Sequence, residues 1–405
     1  MRYERRVLGW IFGMSLIVVA STHAQSLTWL GMHPSGSFSF ATGVSADGAI
    51  VSGMSYLPDS NLYVAFRWTQ ADGLQSFERS DGPTYAHSIA SNVDTIVGGV
   101  AFPDAVARAL YWSSGSEQTL PADGDYSMAF DISSDGGIIV GVATTDTGAV
   151  RAVRWDADGI ADLGTLSGRD SSAAYGVSGD GAVVVGESSG SGYNPTAVYW
   201  NGTGIQPIAT PSNWASSVAV RASSDGGVII GNAETDDGRR VAFRWTTTDG
   251  VQDIGTLGGA IAIAYDISDD GSIIVGFSYD TNDAGNAFRW TSGGMENLNT
   301  TYAYLLTNNS VLIEARAISA DGRYIAGMGF NGATGRTEAF LLDTACTGHN
   351  GDVDANGCVD DADLLAVLFA FGSSGSNLGR VDVNCDETVD DADLLQVLFN
   401  FGSGC

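Results

Sequence analysis

Short stretches of alternating hydrophobic and polar residues, separated by Asp-Gly turns, fill most of the chain. The pattern "S-x-D-G-x-x-x-x-G" occurs at 45–53, 133–141, 178–186, 223–231, 268–276 and 319–327, and a degenerate copy, "ASNVDTIVG", occupies 90–98. The Asp position of these copies is held by Asp47, Asn92, Asp135, Asp180, Asp225, Asp270 and Asp321. Their spacings of 45, 43, 45, 45, 45 and 51 residues indicate one repeated structural unit.

Each unit predicts four short strands. Asp-Gly favours a tight hairpin between the first two, because Gly tolerates a positive φ. The second strand is an almost continuous apolar run, which is typical of a strand buried on both faces. A third strand carries motifs such as "AFRW", and a fourth is exemplified by "VQDIGTL" at 251–257. Four strands in roughly 40–45 residues are typical of a β-propeller blade, and a solenoid of stacked repeats is the alternative.

The two ends of the repeat region favour ring closure. The seventh copy stops at "AFLLD" (339–343) without a fourth strand, whereas "LTWLG" (27–31) precedes the first copy at the position of a fourth strand. Pairing of these two segments would close the ring and remove an exposed sheet edge. The sequence therefore predicts a mainly β fold, with a seven-bladed β-propeller over 25–343.

The repeated Asp and Trp residues each have two interpretations. The Asp-Gly pairs could hold metal ions, but turn formation explains them more simply. The six Trp residues at 68, 112, 155, 200, 245 and 290 could form a sugar-stacking ring, but packing between blades is favoured. The four His residues are scattered along the chain, so a His-based catalytic triad is not expected.

Charge and the N-terminal segment bear on location and partners. The chain contains no Lys, 18 Arg and a net charge of -29, which disfavours nucleic acid as a partner. Arg2, Arg5 and Arg6 precede an apolar run at 7–20, which is too short to span a membrane. Small residues at 22 and 24 then predict a signal peptide over 1–24, with an uncleaved anchor as the alternative. We expect a secreted protein without membrane insertion.

The last sixty residues form a different, acidic module. Two copies, "DVDANGCVDDADLLAVLFAFG" (352–372) and "DVNCDETVDDADLLQVLFNFG" (382–402), each predict a 12-residue loop followed by a helix. Oxygen-bearing groups recur at the ligand positions of an EF-hand, except that Asp replaces the terminal Glu. The candidate metal ligands are Asp352, Asp354, Asn356, the Cys358 carbonyl, Asp360 and Asp363, and then Asp382, Asn384, Asp386, the Thr388 carbonyl, Asp390 and Asp393. This pattern predicts an EF-hand-like module that binds Ca²⁺, and an acidic surface loop is the alternative.

Both parts of the chain resemble known families. The repeats resemble the extracellular HAF-type repeats of secreted bacterial proteins, carried here by "AFRW" and by the repeated turn motif; this resemblance implies export and a repeat architecture, but no reaction. Residues 352–402 resemble a type I dockerin, which implies a cohesin-like partner. Glu387 stands where that family has Gly, and a positive φ at this residue would cost the second calcium loop roughly 1 kcal/mol. Asp361-Ala362 and Asp391-Ala392 replace the usual polar recognition pair, and apolar Leu368-Phe369 and Leu398-Phe399 replace the usual basic residues.

All four Cys residues lie within residues 346–405, and export permits disulfides. Four Cys residues allow three pairings. We favour Cys346–Cys405, joining the two ends of the module, and Cys358–Cys385, joining the two loops. The predicted organisation is a linker at 344–350 followed by the dockerin-like module at 351–405.

Two functional hypotheses follow from these features. The favoured one is a non-catalytic secreted protein, in which the propeller binds a glycan or protein and the calcium module attaches it to an extracellular assembly. The alternative is a dockerin-bearing enzyme that degrades polysaccharides. Regular repeats without a site-bearing insertion favour the first. The largest irregularity, at 299–316, is where a site could lie in either case.

Overall fold

The computed structural model describes residues 25–102, 106–113, 115–345, 349–354, 356–374, 378–386 and 388–405. The predicted signal peptide therefore lies outside the described residues. Backbone contacts divide the described chain into two compact units, and the division falls after Ala345, within the predicted linker. No helix of the described residues is long and apolar enough to cross a membrane.

The first unit consists of antiparallel strands arranged in sets of four, named here set 1 to set 7 in chain order. The strand that precedes them is β1 (Ser26–Gly31). Set 1 comprises β2 (Phe38–Val44), β3 (Ile50–Leu57), β4 (Leu62–Thr69) and β5 (Gly73–Ser76). Set 2 comprises β6 (Thr84–Ile89), β7 (Thr95–Ala101), β8 (Ala107–Ser113) and β9 (Ser116–Thr119). Set 3 comprises β10 (Ser127–Ile132), β11 (Ile139–Thr144), β12 (Val150–Asp156) and β13 (Gly159–Asp162).

The remaining sets repeat this order. Set 4 comprises β14 (Ser171–Val177), β15 (Val184–Gly190), β16 (Tyr193–Asn201) and β17 (Gly204–Pro207). Set 5 comprises β18 (Trp214–Ala222), β19 (Val228–Thr235), β20 (Arg240–Thr246) and β21 (Gly250–Asp253). Set 6 comprises β22 (Gly258–Ile267), β23 (Ile274–Asp280), β24 (Gly285–Thr291) and β25 (Gly294–Asn297). Set 7 comprises β26 (Val311–Ile318), β27 (Tyr324–Asn331), β28 (Arg336–Asp343) and β1.

The fourth strand of set 7 comes from the other end of the repeat region. β1 pairs antiparallel with β28, from Ser26 opposite Asp343 to Trp29 opposite Phe340. The indole of Trp29 also meets the ring of Phe340 edge to face, with 6.2 Å between centroids. This confirms the predicted pairing of "LTWLG" with the last copy.

Apolar clusters join each set to the next. Six clusters connect consecutive sets from set 1 to set 7, and one further cluster joins set 7 back to set 1. In that last cluster Phe66 and Trp68 of set 1 pack with Ala317 and Leu341 of set 7. The packing among the described residues is therefore continuous around a closed circuit.

A buried hydroxyl makes the same hydrogen bond between several neighbouring sets. Ser172 at the start of set 4 accepts the N–H of Ala152 in set 3 at 3.0 Å, and equivalent bonds join sets 1 and 2, 2 and 3, and 4 and 5. Ser39 of set 1 accepts the N–H of Ala339 in set 7 at 2.9 Å in the same manner. The junction of the last set with the first thus repeats a contact made between consecutive sets.

The repeated Ser-x-Asp-Gly segment forms a self-contained turn. In set 3, Ser133 donates to Asp135 at 2.8 Å and accepts the N–H of Ile138 at 3.0 Å, while Asp135 also accepts the N–H of Gly137 at 2.8 Å. These hydrogen bonds lower the pKa of Asp135, the backbone bond from Gly137 contributing most. Gly136 has a φ of 77°. The turn interpretation of the Asp-Gly pairs is therefore confirmed.

The last Gly of each motif lies against the first strand of its own set. A Cβ placed on Gly186 would stand 2.0 Å from the carbonyl oxygen of Ala173, closer than any side chain allows. The equivalent Gly of every other set has the same approach to a backbone carbonyl, at 1.8 to 2.3 Å; these residues are Gly53, Gly98, Gly141, Gly231, Gly276 and Gly327. The motif requires Gly here because the two strands approach closely, and none of these residues has a positive φ.

The Trp residues that recur between the sets belong to the core. Trp112, Trp155 and Trp200 are 5%, 2% and 4% exposed and lie in the clusters between sets. This confirms packing between blades rather than a sugar-stacking ring. The irregular segment between sets 6 and 7 also packs inward: it contains helix α1 (Leu298–Thr301) and a 3-10 turn (Ala303–Leu305), and Leu298 and Tyr302 are buried.

The second unit contains two helices, α2 (Asp361–Ala370) and α3 (Asp391–Phe399), with a 3-10 turn at Gly379–Val381. Its core consists of six buried Val residues that occupy equivalent places in the two sequence copies, namely Val353, Val359, Val367, Val383, Val389 and Val397. The two loop–helix copies therefore bury the same three positions against each other.

The close approach at the last Gly of the motif predicts that one added methyl group lowers the stability of the first unit. We expect Gly186→Ala to destabilise the first unit by about 1–3 kcal/mol or more, because the obstructing atom belongs to the backbone of the paired strand. Gly202→Ala in the same set is the control, since a Cβ there would meet nothing within 4 Å. Chemical denaturation measures both, and equal stabilities would contradict this explanation of the motif.

Ring closure predicts a strong dependence on β1. A chain that starts at Met32 should melt well below one that starts at Gln25, because β28 loses its partner and Phe340 loses the indole of Trp29. Calorimetric melting of the two truncations makes the comparison. Identical melting temperatures would mean that closure contributes nothing to stability.

Candidate metal-binding loops and axial channel

The first acidic loop brings three predicted ligands together. Carboxylate oxygens of Asp352, Asp354 and Asp363 lie within 4.8 Å of one another. Asp363 is fully buried in the first turn of α2, where its Oδ1 accepts the N–H groups of Val353 and Asp354 at 2.6 and 3.1 Å. Its Oδ2 accepts the N–H of Asp360 at 2.8 Å. These bonds hold the carboxylate of Asp363 beneath the loop.

The second loop repeats this geometry. Asp382, Asp386 and Asp393 have carboxylate oxygens within 4.8 Å of one another. Asp393 is also fully buried, and its Oδ1 accepts the N–H groups of Val383 and Asn384 at 2.6 and 3.0 Å. The equivalence of Asp363 and Asp393 follows from their shared position in the two sequence copies.

The other predicted ligands have different surroundings. Asp360 and Asp390 cap the two helices, accepting the N–H groups of Ala362 and Ala392 at 2.8 and 2.7 Å. The structure does not bring these two carboxylates into the clusters. The Cys358 N–H donates to the side-chain oxygen of Asn356 at 2.7 Å.

The polar ligands of the second loop lie beside its cluster. The amide nitrogen of Asn384 lies 3.0 Å from Asp386, and the Thr388 hydroxyl donates to Asp386 at 2.6 Å. In the first loop, the amide nitrogen of Asn356 likewise lies 2.9 Å from Asp354. Asn356, Asn384 and Thr388 therefore lie beside the clusters, and the contacts they make there are hydrogen bonds donated to the carboxylates.

The first loop fits a divalent cation. Oδ1 of Asp352 is buried, and within the described part of the chain it has no hydrogen-bond partner. Three carboxylates at this distance repel one another. A hard divalent ion would offset that repulsion, and Oδ1 of Asp352 could serve as one of its ligands. Gly357, at position 6 of the first loop, provides the sharp turn with a φ of 92°. Glu387, at the same position of the second loop, lies outside the described residues.

The predicted disulfide pairing is wrong. Cys358 bonds to Cys405, not to Cys385, so Cys405 is not available to Cys346. The reason is backbone pairing: the segment after α3 returns to the first loop, where Val359 donates to Ser403 at 3.0 Å and accepts from Gly402 at 2.8 Å. Cys385 also takes part in a disulfide, and Cys346 lies outside the described residues.

The first strands of the seven sets surround a channel that was not predicted from the sequence. In each first strand the pairing register shifts at a residue that lies five positions before the Asp position of the motif. The residue before this shift pairs with the closely packed Gly of the second strand. A β-bulge of this kind re-aims side chains. The residues at that position line a cavity of about 400 Å³ and are Thr42, His87, Phe130, Tyr175, Val220, Tyr265 and Arg316.

The residue directly after the bulge position lines a narrower, polar section of the channel in several sets. There Arg221 lies between two carboxylates, with its Nε 3.8 Å from Asp131 and 3.7 Å from Asp266. Asp131 accepts from Ser88 at 2.7 Å, and Arg221 donates to the carbonyl of Tyr175 at 2.6 Å. The sequence signal for these residues is variation: two adjacent positions differ between copies while their neighbours repeat.

Burial changes the titration of the channel residues. Burial raises the pKa of Asp266 to about 6, although Arg221 lowers it. Burial lowers the pKa of His87 to about 4, and the charge of Arg221 acts in the same direction. Burial also raises the pKa of Tyr265 to about 12 and that of Tyr175 above its ordinary value. At neutral pH, His87 and both Tyr residues are therefore uncharged.

Comparisons with known proteins show the fold of the first unit. A scan against family models and a search of curated proteins find no match. Among solved structures, an oligogalacturonate lyase in complex with manganese is similar with a TM-score of 0.52 and 12% identity, over 80% of this chain and 94% of that one. An oligogalacturonate lyase from Vibrio parahaemolyticus has a TM-score of 0.50 and 10% identity, over 78% and 93%.

A puromycin hydrolase mutant is also similar, with a TM-score of 0.50 and 12% identity, over 77% of this chain and 56% of that one. These neighbours are β-propeller proteins. At such low identity the likeness concerns the fold alone, and the mainly β, propeller-like architecture is the part of the predicted fold class that it supports.

The geometry of the first loop predicts how divalent metal binding responds to mutation. Asp352→Asn should weaken metal binding at that loop by about tenfold or more, since the neutral side chain no longer offsets the ion's charge. Asp361→Asn is the control, because Asp361 is exposed on α2 and lies outside the cluster. Calorimetric titration of the full chain with calcium chloride measures both. Equal affinities in the two variants would contradict the assignment of this cluster.

Proposed function

We propose that the protein is a secreted, non-catalytic binding protein. Its first unit is a closed seven-bladed propeller that presents a binding surface. Its second unit is a dockerin-like module that folds with Ca²⁺ and attaches the propeller to a cohesin-like protein of an extracellular assembly. Export of the chain by the signal peptide at 1–24 is part of the proposal.

The observation that carries the proposal is the duplicated apolar surface of the second unit. Phe369 on α2 and Phe399 on α3 are 88% and 83% exposed, at equivalent positions of the two copies. Leu368 and Leu398, beside them, are also exposed. Exposed apolar residues in such a cluster mark interaction surfaces. They occupy the positions at which the dockerin family has basic residues, so a partner of this module would meet an apolar surface there.

The acidic loops support Ca²⁺ as the ion. The predicted ligands are all oxygen atoms, and each loop would supply them from one continuous segment, as Ca²⁺ sites require. Asp363 and Asp393 connect the loops to α2 and α3, so ion binding would stabilise the helices that carry the apolar surface. Metal binding would then contribute folding free energy to the module and make attachment depend on calcium.

The strand pairing supports seven blades. Seven sets of four strands follow one another in the described chain, and β1 completes the last set. The apolar cluster between set 7 and set 1 and the bond from Ala339 to Ser39 repeat the junctions between consecutive sets. Such a ring offers two faces around its axis for binding.

The enzyme hypothesis stays open as the alternative. A polysaccharide-degrading enzyme would need an acid and a base or nucleophile directed at a substrate. Asp131 and Asp266 are the carboxylates that face the channel on either side of Arg221. Both carboxylates pair with the single guanidinium of Arg221, which leaves one negative charge in excess at this point of the channel. Product analysis of glycans incubated with the protein distinguishes turnover from binding.

Attachment is tested with the full-length chain and a panel of immobilised type I cohesin modules. We expect binding in calcium, loss of binding in a chelator, and at least a tenfold loss when Phe369→Ala and Phe399→Ala are combined. Phe330→Ala is the control, since this Phe is exposed on β27 of the other unit. Binding that persists without calcium, or survives in the double variant, would overturn the proposed role of the module.

A further inference from the structure

The wide mouth of the axial channel has the size and composition of a ligand site. Its volume of about 400 Å³ lies within the range of small-molecule pockets, roughly 300–1,000 Å³. Its wall is mainly apolar and contains several aromatic rings, whereas the section beneath it is polar and encloses about 70 Å³. A ligand can therefore enter from the wide side and reach polar groups at the base.

One half of the mouth is an ordered aromatic wall. The ring of Phe130 lies 5.2 Å from that of His87 and 5.4 Å from that of Tyr175, measured between centroids. His87 in turn stacks on Tyr85 at 6.2 Å. Because each ring is supported by its neighbours, the wall presents ring faces in fixed positions and loses little entropy on binding.

The opposite half combines ring faces with hydrogen-bond donors. The guanidinium of Arg316 lies 4.6 Å from the ring centre of Phe40 and 5.2 Å from that of Tyr265, and it pairs with Glu314. Among the described residues, the phenol hydroxyls of Tyr175 and Tyr265 make no hydrogen bond. These hydroxyls and Arg221 at the base can therefore bond a ligand.

The two cations of the channel mouth are matched by three carboxylates, so no positive charge is in excess. Arg316 is paired with Glu314, and Arg221 with Asp131 and Asp266, so neither cation is in surplus. His87 is neutral above its pKa of about 4. The chain as a whole has a net charge of -29, which repels anions. The site therefore suits a neutral ligand with an apolar face and a polar edge.

We propose that the channel mouth binds the end of a neutral oligosaccharide. One face of the terminal pyranose would stack on the wall formed by Phe130 and Tyr175. Its hydroxyl groups would bond the phenol of Tyr265 and the guanidinium of Arg221. This inference rests on the proposed function of the propeller as a binding surface and specifies its site and its ligand class.

The test uses the full-length chain in calcium and isothermal titration calorimetry. The probes are cellohexaose, xylohexaose and mannohexaose, with oligogalacturonate as the anionic comparison. We expect one neutral probe to bind, and Tyr175→Ala and Tyr265→Ala to weaken it by about tenfold or more. Tyr175→Leu keeps apolar volume but removes the ring face, and should show the same loss.

Tyr111→Ala is the matched control, because Tyr111 lies on the third strand of set 2 and does not line the mouth. Its binding should equal that of the wild type, and thermal melting should show all variants folded. Unchanged glycan binding in the Tyr175 and Tyr265 variants would overturn the site but leave the binding function. Binding of none of the neutral probes, or binding of oligogalacturonate or a peptide library instead, would overturn the ligand class. Calcium-dependent attachment is measured separately and does not depend on either outcome.

Discussion

The close contact between two backbone strands is the constraint on which the first unit depends. At the end of each turn motif, Gly lies so close to a carbonyl of the first strand that no Cβ fits between them. Just beyond that carbonyl, the first strand bulges. The bulge directs one residue per set into the channel, and the close approach lets the second strand be buried on both faces. The absence of a Cβ at this Gly thus affects the packing of the two strands, the burial of the second strand and the residues that line the channel.

The abundant Asp residues serve two physical roles that depend on their surroundings. In the turns, an Asp such as Asp225 accepts bonds from its own segment, at 2.8 Å from both Ser223 and the N–H of Gly227, and its pKa is lowered by them. In the second unit, by contrast, Asp352 and Asp363 face each other and another carboxylate. A solitary Asp is satisfied by local N–H groups, whereas clustered Asp residues repel one another and a cation would offset that repulsion.

The second unit shows how a duplicated sequence produces an interlocked pair. The segment after α2 bonds to Val389 of the other copy, at 2.8 and 2.9 Å, just as the segment after α3 bonds to Val359. Each copy therefore completes the other, and neither loop–helix segment has a core without its partner. The same exchange brings Cys405 beside Cys358 and leaves the outer sides of both helices exposed.

Local periodicity determined much of this structure before any tertiary contact was known. Strand order, the Asp-Gly turns and the displaced strand β1 were predictable, because each depends on residues close together or on counting strands per repeat. The clustered carboxylates Asp352 and Asp363 were predictable because loop spacing places them around one point. Tertiary structure alone decided the Cys358–Cys405 bond, since backbone pairing of distant segments selects among three possible pairings. It also decided the channel, where Asp131, Arg221 and Asp266 from three different sets meet only because the ring brings their bulges to one axis.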